Sequence, residues 1–265
     1  MPKDNCRAVV ALATIQADGK KSVMVGELAR QLDLSKTQER ALIRDLLKDG
    51  TLIRVRRGRY LVRPQNLRTA EWSPNEALAL TSLITDEGGQ YQLCGPNAFQ
   101  RYGWDDQIPN RIYAYNTLFS GDRDVGTISM TLIKVDVKRL GGTDVAQTPD
   151  GLKLVWPTRA RALLDGVYDW SRFNSLPRCY DWIRQELKRD DAFAADLVKA
   201  TLQFANQGTI RRIGKLLELA DVSFGLIRKL ERQLNPSASF IPWNPEQPKR
   251  GSIDRRWGVV FNDGI

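Results

Sequence analysis

Residues 35–62 read SKTQERALIRDLLKDGTLIRVRRGRYLV, and two periodicities meet in them. The first half repeats near 3.6. Leu42, Ile43, Leu46 and Leu47 form one apolar stripe, which predicts a helix over 36–49 with that stripe against a core. Ser35 and Gln38 have the spacing of a capping box at its start, and Gly50 ends it. The second half changes to strand-like runs, Leu52-Ile53-Val55 and Tyr60-Leu61-Val62, around Arg56-Arg57-Gly58. That pattern predicts a hairpin turning at the glycine.

Upstream, VMVGELARQL (23–32) places Val25, Leu28, Ala29 and Leu32 on one stripe and predicts a short helix, with Asp33 and Leu34 as a tight corner. NCRAVVALATIQ (5–16) predicts an earlier helix with Val9, Val10, Leu12 and Ala13 as its apolar side. Three helices followed by a hairpin is the order of a winged helix-turn-helix, so residues 1–65 are expected to form a DNA-binding domain of that type. Opposite the apolar stripe of the third helix lie Thr37, Arg40, Ala41, Arg44 and Lys48. A small and basic face suits a helix in the major groove. Ser35, Lys36, Thr37, Gln38 and Arg40 are placed to read base edges, with Arg44 and Lys48 further along toward phosphates. The hairpin carries Arg54, Arg56, Arg57, Arg59 and Arg63 with no acid among them, which suits phosphates or a narrow minor groove. For both elements the alternative reading is a solvated basic surface.

The charge distribution favours the first reading. Residues 1–70 hold 15 Lys and Arg against 7 Asp and Glu, whereas the remainder holds 25 against 24. A small domain so basic attracts polyanions, and the expected partner is double-stranded DNA. No segment is basic, amphipathic and aromatic-rich enough to favour a membrane surface. No secretory signal and no long apolar run is present, so the expected compartment is the cytoplasm.

Enzymatic chemistry finds little support. The chain has no histidine, which excludes Ser-His and Cys-His nucleophile pairs and histidine metal ligands. Cys6, Cys94 and Cys179 are too scattered for a disulfide framework or a zinc site. No phosphate-binding glycine loop or nucleophile elbow occurs. The expectation is no catalytic residue, no metal and no cofactor. Asp105-Asp106 reads as a loop, and Asp165 as a structural partner of Arg161 four residues earlier. Trp170, Trp182, Phe173, Phe193 and Phe204 read as core.

Beyond a linker over 63–71, residues 72–265 are expected to form an α+β domain with a small sheet and a helical second half. Ser73, Pro74 and Glu76 predict a capped helix running to about Thr85. Strands are expected over 91–94, 111–117, 126–137 and 151–156, and a short helix over 95–103. Helices are expected over 158–170, 176–189, 192–206, 209–220 and 223–234. The proline-rich tail, 236–265, offers Trp257, Val259, Val260 and Phe261 as an anchor or edge strand.

The run YQLCGPNAFQRYGWDDQIPNRIYAYNT (91–117) resembles a segment of the AbiEi antitoxins of bacterial abortive-infection systems, through Ala98, Tyr102, Gly103, Trp104, Asp106, Gln107, Ile108 and Pro109. WPTRARALLDGV (156–167) is similar to the start of a helix in that family, through Pro157, Arg159, Ala162, Leu163, Leu164 and Asp165. The arginine hairpin, Arg54 to Tyr60, is a further shared trait. The departures are Tyr102 and Trp104 around the glycine, where histidine and leucine are usual, and the tail after about residue 235. The resemblance implies a repressor that binds inverted repeats in its own promoter. It also implies a second domain that counteracts a cognate nucleotidyltransferase-like toxin. The alternatives are a winged-helix regulator whose second domain senses a small effector, and an enzyme with a DNA-binding arm. The absence of histidine and of catalytic motifs weighs against the last.

Overall fold

The computed structural model describes residues 10–14, 16–17, 19–64, 72–236 and 239–262. Half of the helix expected over 5–16, and residues 65–71 of the expected linker, lie outside the described residues. Within the former, residues 10–14 are helical, with Ala11 and Leu12 buried.

The next element corrects the sequence reading. Residues 22–24 are a strand, β1 (Ser22–Met24), not the start of a helix. Val23 is buried opposite Tyr60, so its apolar character comes from a strand pairing formed some forty residues away. Helix α1 (Glu27–Leu32) starts only after Gly26, whose φ of 93° turns the chain out of the strand. Val25, assigned to the helical stripe, is exposed, and its N–H donates to the Gly58 carbonyl.

Helix α2 (Lys36–Lys48) forms as its caps require. The Gln38 N–H donates to Ser35 Oγ at 3.3 Å, and the Ser35 N–H donates to Gln38 Oε1 at 2.9 Å. Glu39, one residue on, points inward and is 2% exposed. Its Oε1 accepts from the N–H groups of Gly26 at 2.7 Å and Ala29 at 3.1 Å. These are donors that the first turn of α1 leaves without helical partners, so one carboxylate ties the two helices together.

Strands β2 (Leu52–Arg56) and β3 (Arg59–Val62) complete a sheet of order β1-β3-β2. Both faces are covered. Leu52, Tyr60 and Val62 pack with Leu28, Leu42, Ile43 and Leu46. Val55 and Leu61, on the other face, pack with Leu78, Leu80 and Leu83 of the following region. A strand buried on both sides has no polar alternation, which explains the uninterrupted Tyr60-Leu61-Val62 run. The hairpin is therefore shared between two cores.

Helix α3 (Glu76–Leu83) is capped by Asn75, whose Oδ1 accepts from the Leu78 N–H at 2.8 Å. Ser73, expected as the cap, instead accepts from the N–H of Thr127 at 2.9 Å. Asparagine is an equally strong cap, and the turn at Gly126-Thr127 engages Ser73 first. A one-turn 3₁₀ segment (Thr85–Glu87) follows α3. Then come β4 (Tyr91–Leu93), α4 (Pro96–Arg101), β5 (Ile112–Asn116), β6 (Gly121–Val125) and β7 (Ile128–Lys134). The sheet order is β4-β5-β7-β6, with β5 and β7 parallel. The single strand expected over 126–137 is the second arm of a hairpin. Its first arm, β6, buries only Val125 and so gives no apolar pattern. Strand β8 (Thr143–Gln147), equally polar, pairs with the expected β9 (Lys153–Pro157).

The helical half consists of α5 (Arg159–Tyr168), α6 (Trp170–Phe173), α7 (Arg178–Arg189), α8 (Phe193–Phe204), α9 (Gln207–Leu219) and α10 (Phe224–Glu231). Trp182, Phe173, Phe193 and Phe204 are core as expected, and Trp170 is partly buried against it. The tail adds a sheet of its own from β10 (Ile241–Pro242), β11 (Ser252–Asp254) and β12 (Val259–Phe261). Trp257 anchors it. Its ring lies so close over Gly214 of α9 that a Cβ there would sit 2.0 Å from it. The whole is a mixed α+β protein.

Candidate nucleic-acid interface

Every residue assigned to base or phosphate contact on α2 is exposed: Ser35, Lys36, Thr37, Gln38, Arg40, Arg44 and Lys48. The inward half of the helix is fixed by Leu42, Ile43 and Leu46 in the core and by Glu39 beneath α1. That leaves Lys36, Arg40, Arg44 and Lys48 as a row, each four residues from the next. At 1.5 Å per residue the row spans roughly 18 Å. No ion pair joins any of the four to an acid among the described residues. Like charges at this spacing repel, so the row lowers helix stability slightly unless an external anion meets it. Ser35 and Gln38 have a second duty. Gln38 Oε1 is committed to the cap, so only its Nε2 remains to reach outward.

The hairpin arginines divide into two groups. Arg54 and Arg57 are exposed, and neither is paired to an acid among the described residues. Arg56 and Arg59 face the second region instead. Arg56 Nη2 donates to both oxygens of Glu87, at 2.8 and 2.7 Å. Arg59 lies 3.2 Å from Glu87 through Nε and 3.2 Å from Asp86 through Nη1. Burial raises the pKa of Asp86, Arg59 draws it down, and Glu87 raises it. Arg63 is half-buried behind the hairpin. A second bridge, Lys21 to Asp150 at 3.4 Å, joins the loop before β1 to the turn between β8 and β9. Sequence reasoning missed Asp86 and Glu87 as partners. Their only local signal is an acidic pair before Gly88.

Elsewhere, polar side chains are used internally. Asp165 is fully buried and binds Arg161 through Nε at 2.9 and 3.0 Å and Arg139 through Nη2. Arg161 also donates to the carbonyls of Gly141 and Arg139. Asp105 pairs with Arg178 at 3.1 Å. Cys94 and Cys179 are buried, and burial pushes both thiols up, so neither is poised as a nucleophile. Cys6 lies outside the described residues. Among the described residues no helix is long and apolar enough to cross a membrane, and no three His, Cys, Asp or Glu side chains group to hold a metal ion.

No family model matches the chain, and no curated protein matches it. The fold has a precedent. The crystal structure of the RV2827C protein from Mycobacterium tuberculosis is similar over 94% of this chain and 88% of that one, with a TM-score of 0.56 and 14% sequence identity. At that identity the likeness is one of fold.

Proposed function

We propose that the chain is a sequence-specific repressor that binds double-stranded DNA through an N-terminal winged helix-turn-helix, with α2 as recognition helix and the β2–β3 hairpin as wing. The observation that carries this reading is the exposed row Lys36, Arg40, Arg44, Lys48, which no internal acid neutralises among the described residues. Arg54 and Arg57 extend the basic surface along the wing. Arg56 and Arg59 set the wing's position through Asp86 and Glu87. The resemblance to AbiEi antitoxins adds the second role: a cytoplasmic antitoxin that represses its own operon at inverted repeats and counteracts a nucleotidyltransferase-like toxin.

The test is a gel-shift salt series on the chain's own promoter and on random duplex. Affinity falls by about 0.9 log units per log unit of salt for each phosphate neutralised. Arg40→Ala costs about 1–3 kcal/mol on the promoter and little on random DNA, if it reads a base. Salt-insensitive binding, or an unchanged ratio in both Arg40→Ala and Thr37→Ala, defeats the assignment of α2. Full-length chain carrying Arg40→Glu and Arg44→Glu separates the two roles. Co-expressed with a neighbouring toxin gene, it restores growth without repressing the promoter. Failure of the wild-type chain to restore growth removes the antitoxin role.

A further inference from the structure

A cavity of about 590 Å³ lies between the end of α3, β4 and the β8–β9 ribbon. That is the size of small-molecule sites, roughly 300–1,000 Å³. Val137, Leu140, Leu152 and Val155 give it apolar walls, and Lys153 brings the one charged side chain in its lining. No carboxylate lines it. Its wall also contains a donor without an acceptor. Gln92 is 1% exposed, and its Oε1 accepts from the Gly141 N–H at 2.8 Å. A backbone N–H needs an acceptor, so this bond fixes the orientation of the amide. Gln92 Nε2 is left buried with no partner among the described residues. A native fold rarely leaves such a group unsatisfied, and because the atom is closed to solvent an occupant's acceptor meets it only as the wall opens.

The position of the cavity adds a consequence. Thr81 and Thr85 belong to its wall, and Thr85 opens the turn that carries Asp86 and Glu87. Those two carboxylates hold Arg56 and Arg59. Thr81 and Leu152 also line a second cleft, which reaches Arg59 and Asp86 between the hairpin and the second region. The wall of the cavity is thus continuous with the clamp on the hairpin.

We propose that this cavity binds a small carboxylic acid with an apolar body, and that its occupant shifts the hairpin through Thr85–Glu87. The carboxylate end faces Lys153 on the side of Gln92, and the apolar body fills the space against Leu140 and Val155. The second half of the proposal rests on the DNA-binding reading; the first does not. By linkage, an occupant that changes DNA affinity by some factor has its own affinity changed by DNA by the same factor.

The experiment titrates full-length protein, without DNA, with 4-phenylbutanoate, the matched alcohol and the matched amine, followed by ligand-observed NMR. The acid is expected to bind more tightly than the amine by about two- to fivefold, the worth of an exposed charge pair. Lys153→Glu, at the solvent-exposed rim, is expected to reverse that order. Val155→Phe, checked for folding by thermal melting, is expected to abolish binding of all three. Failure of all three probes to bind, or an order that Lys153→Glu leaves unchanged, overturns the site. The coupling is then read as a shift in promoter affinity with saturating acid. Probe binding with unmoved DNA affinity overturns the coupling. A chain that binds the acid and no DNA defeats the repressor reading and the coupling, while the site stands.

Discussion

Helices α5 and α2 both carry an arginine four residues before another charged side chain, and the outcomes are opposite. On α5 the second charge is Asp165, and both it and Arg161 are removed from solvent. On α2, Arg40 is followed by Arg44, flanked by Lys36 and Lys48, and all four face outward. Burial of an arginine is costly and needs acceptors to offset it, which Arg161 finds in the Asp165 carboxylate and the carbonyls of Gly141 and Arg139. On α2, with neither an acid nor a buried carbonyl to meet it among the described residues, the charge stays in water and remains available to an external anion. Arg56 and Arg59 stand between these cases, bound to acids across the seam of the two regions. The identity of its partner, rather than the arginine itself, decides whether the side chain builds the fold or serves a ligand.

The largest effect expected from this contrast is at Asp165. Asp165→Ala strands two buried guanidinium groups and is expected to cost about 3–5 kcal/mol in a urea titration. A loss below about 1 kcal/mol would mean the network is not structural. Next comes Glu39, a buried carboxylate with no cation paired to it among the described residues. Glu39→Ala leaves two backbone donors unpaired and is expected to cost about 1–3 kcal/mol, with Glu39→Gln recovering part through its amide oxygen. Equal losses for the two variants would show that the cap contributes nothing. At the seam, a double-mutant cycle of Arg59→Ala and Glu87→Ala is expected to give a coupling of about 0.5–3 kcal/mol. Zero coupling would break the intermediate case. The smallest stability effect is at Arg44. Arg44→Glu replaces a like-charge pair with an attractive one and is expected to stabilise by about 0.2–0.5 kcal/mol, while promoter binding falls. A destabilised variant in thermal melts would mean that the α2 row already has a partner inside the fold.

Legibility followed the range of the interaction. Helix α2 was readable because the signals at each end are local: Ser35 and Gln38 cap its start, and Gly50 lies just past its end. The helices from Arg178 to Glu231 fell close to their expected bounds; α7 and α10 bury one stripe each, whereas α9 is buried on nearly all sides. Strand β1 was misread because Val23 draws its burial from Tyr60, far along the chain. Strands β6 and β8 were invisible because they are polar arms of ribbons whose partners supply the apolar side. The basic face of α2 was found by its spacing. The division of the hairpin arginines was not, because Asp86 and Glu87 meet them only after the two regions pack together. Glu39 escaped for the same reason, since a glutamate between Gln38 and Arg40 reads as one more exposed charge.

The seat of Trp257 over Gly214 bears on the order in which a new chain acquires its shape. Strand β12 is the middle strand of the tail sheet, and Trp257 stands just before it. Until residues 257–261 have been made, the groove on α9 stays open and the interior of the second region lacks one of its largest side chains. The cluster around Leu28, Leu46 and Tyr60 needs nothing beyond residue 62. During synthesis, when domains fold from the N-terminal end first, the basic module can therefore close on its own cluster early, while the helical half waits nearly two hundred residues for its wedge.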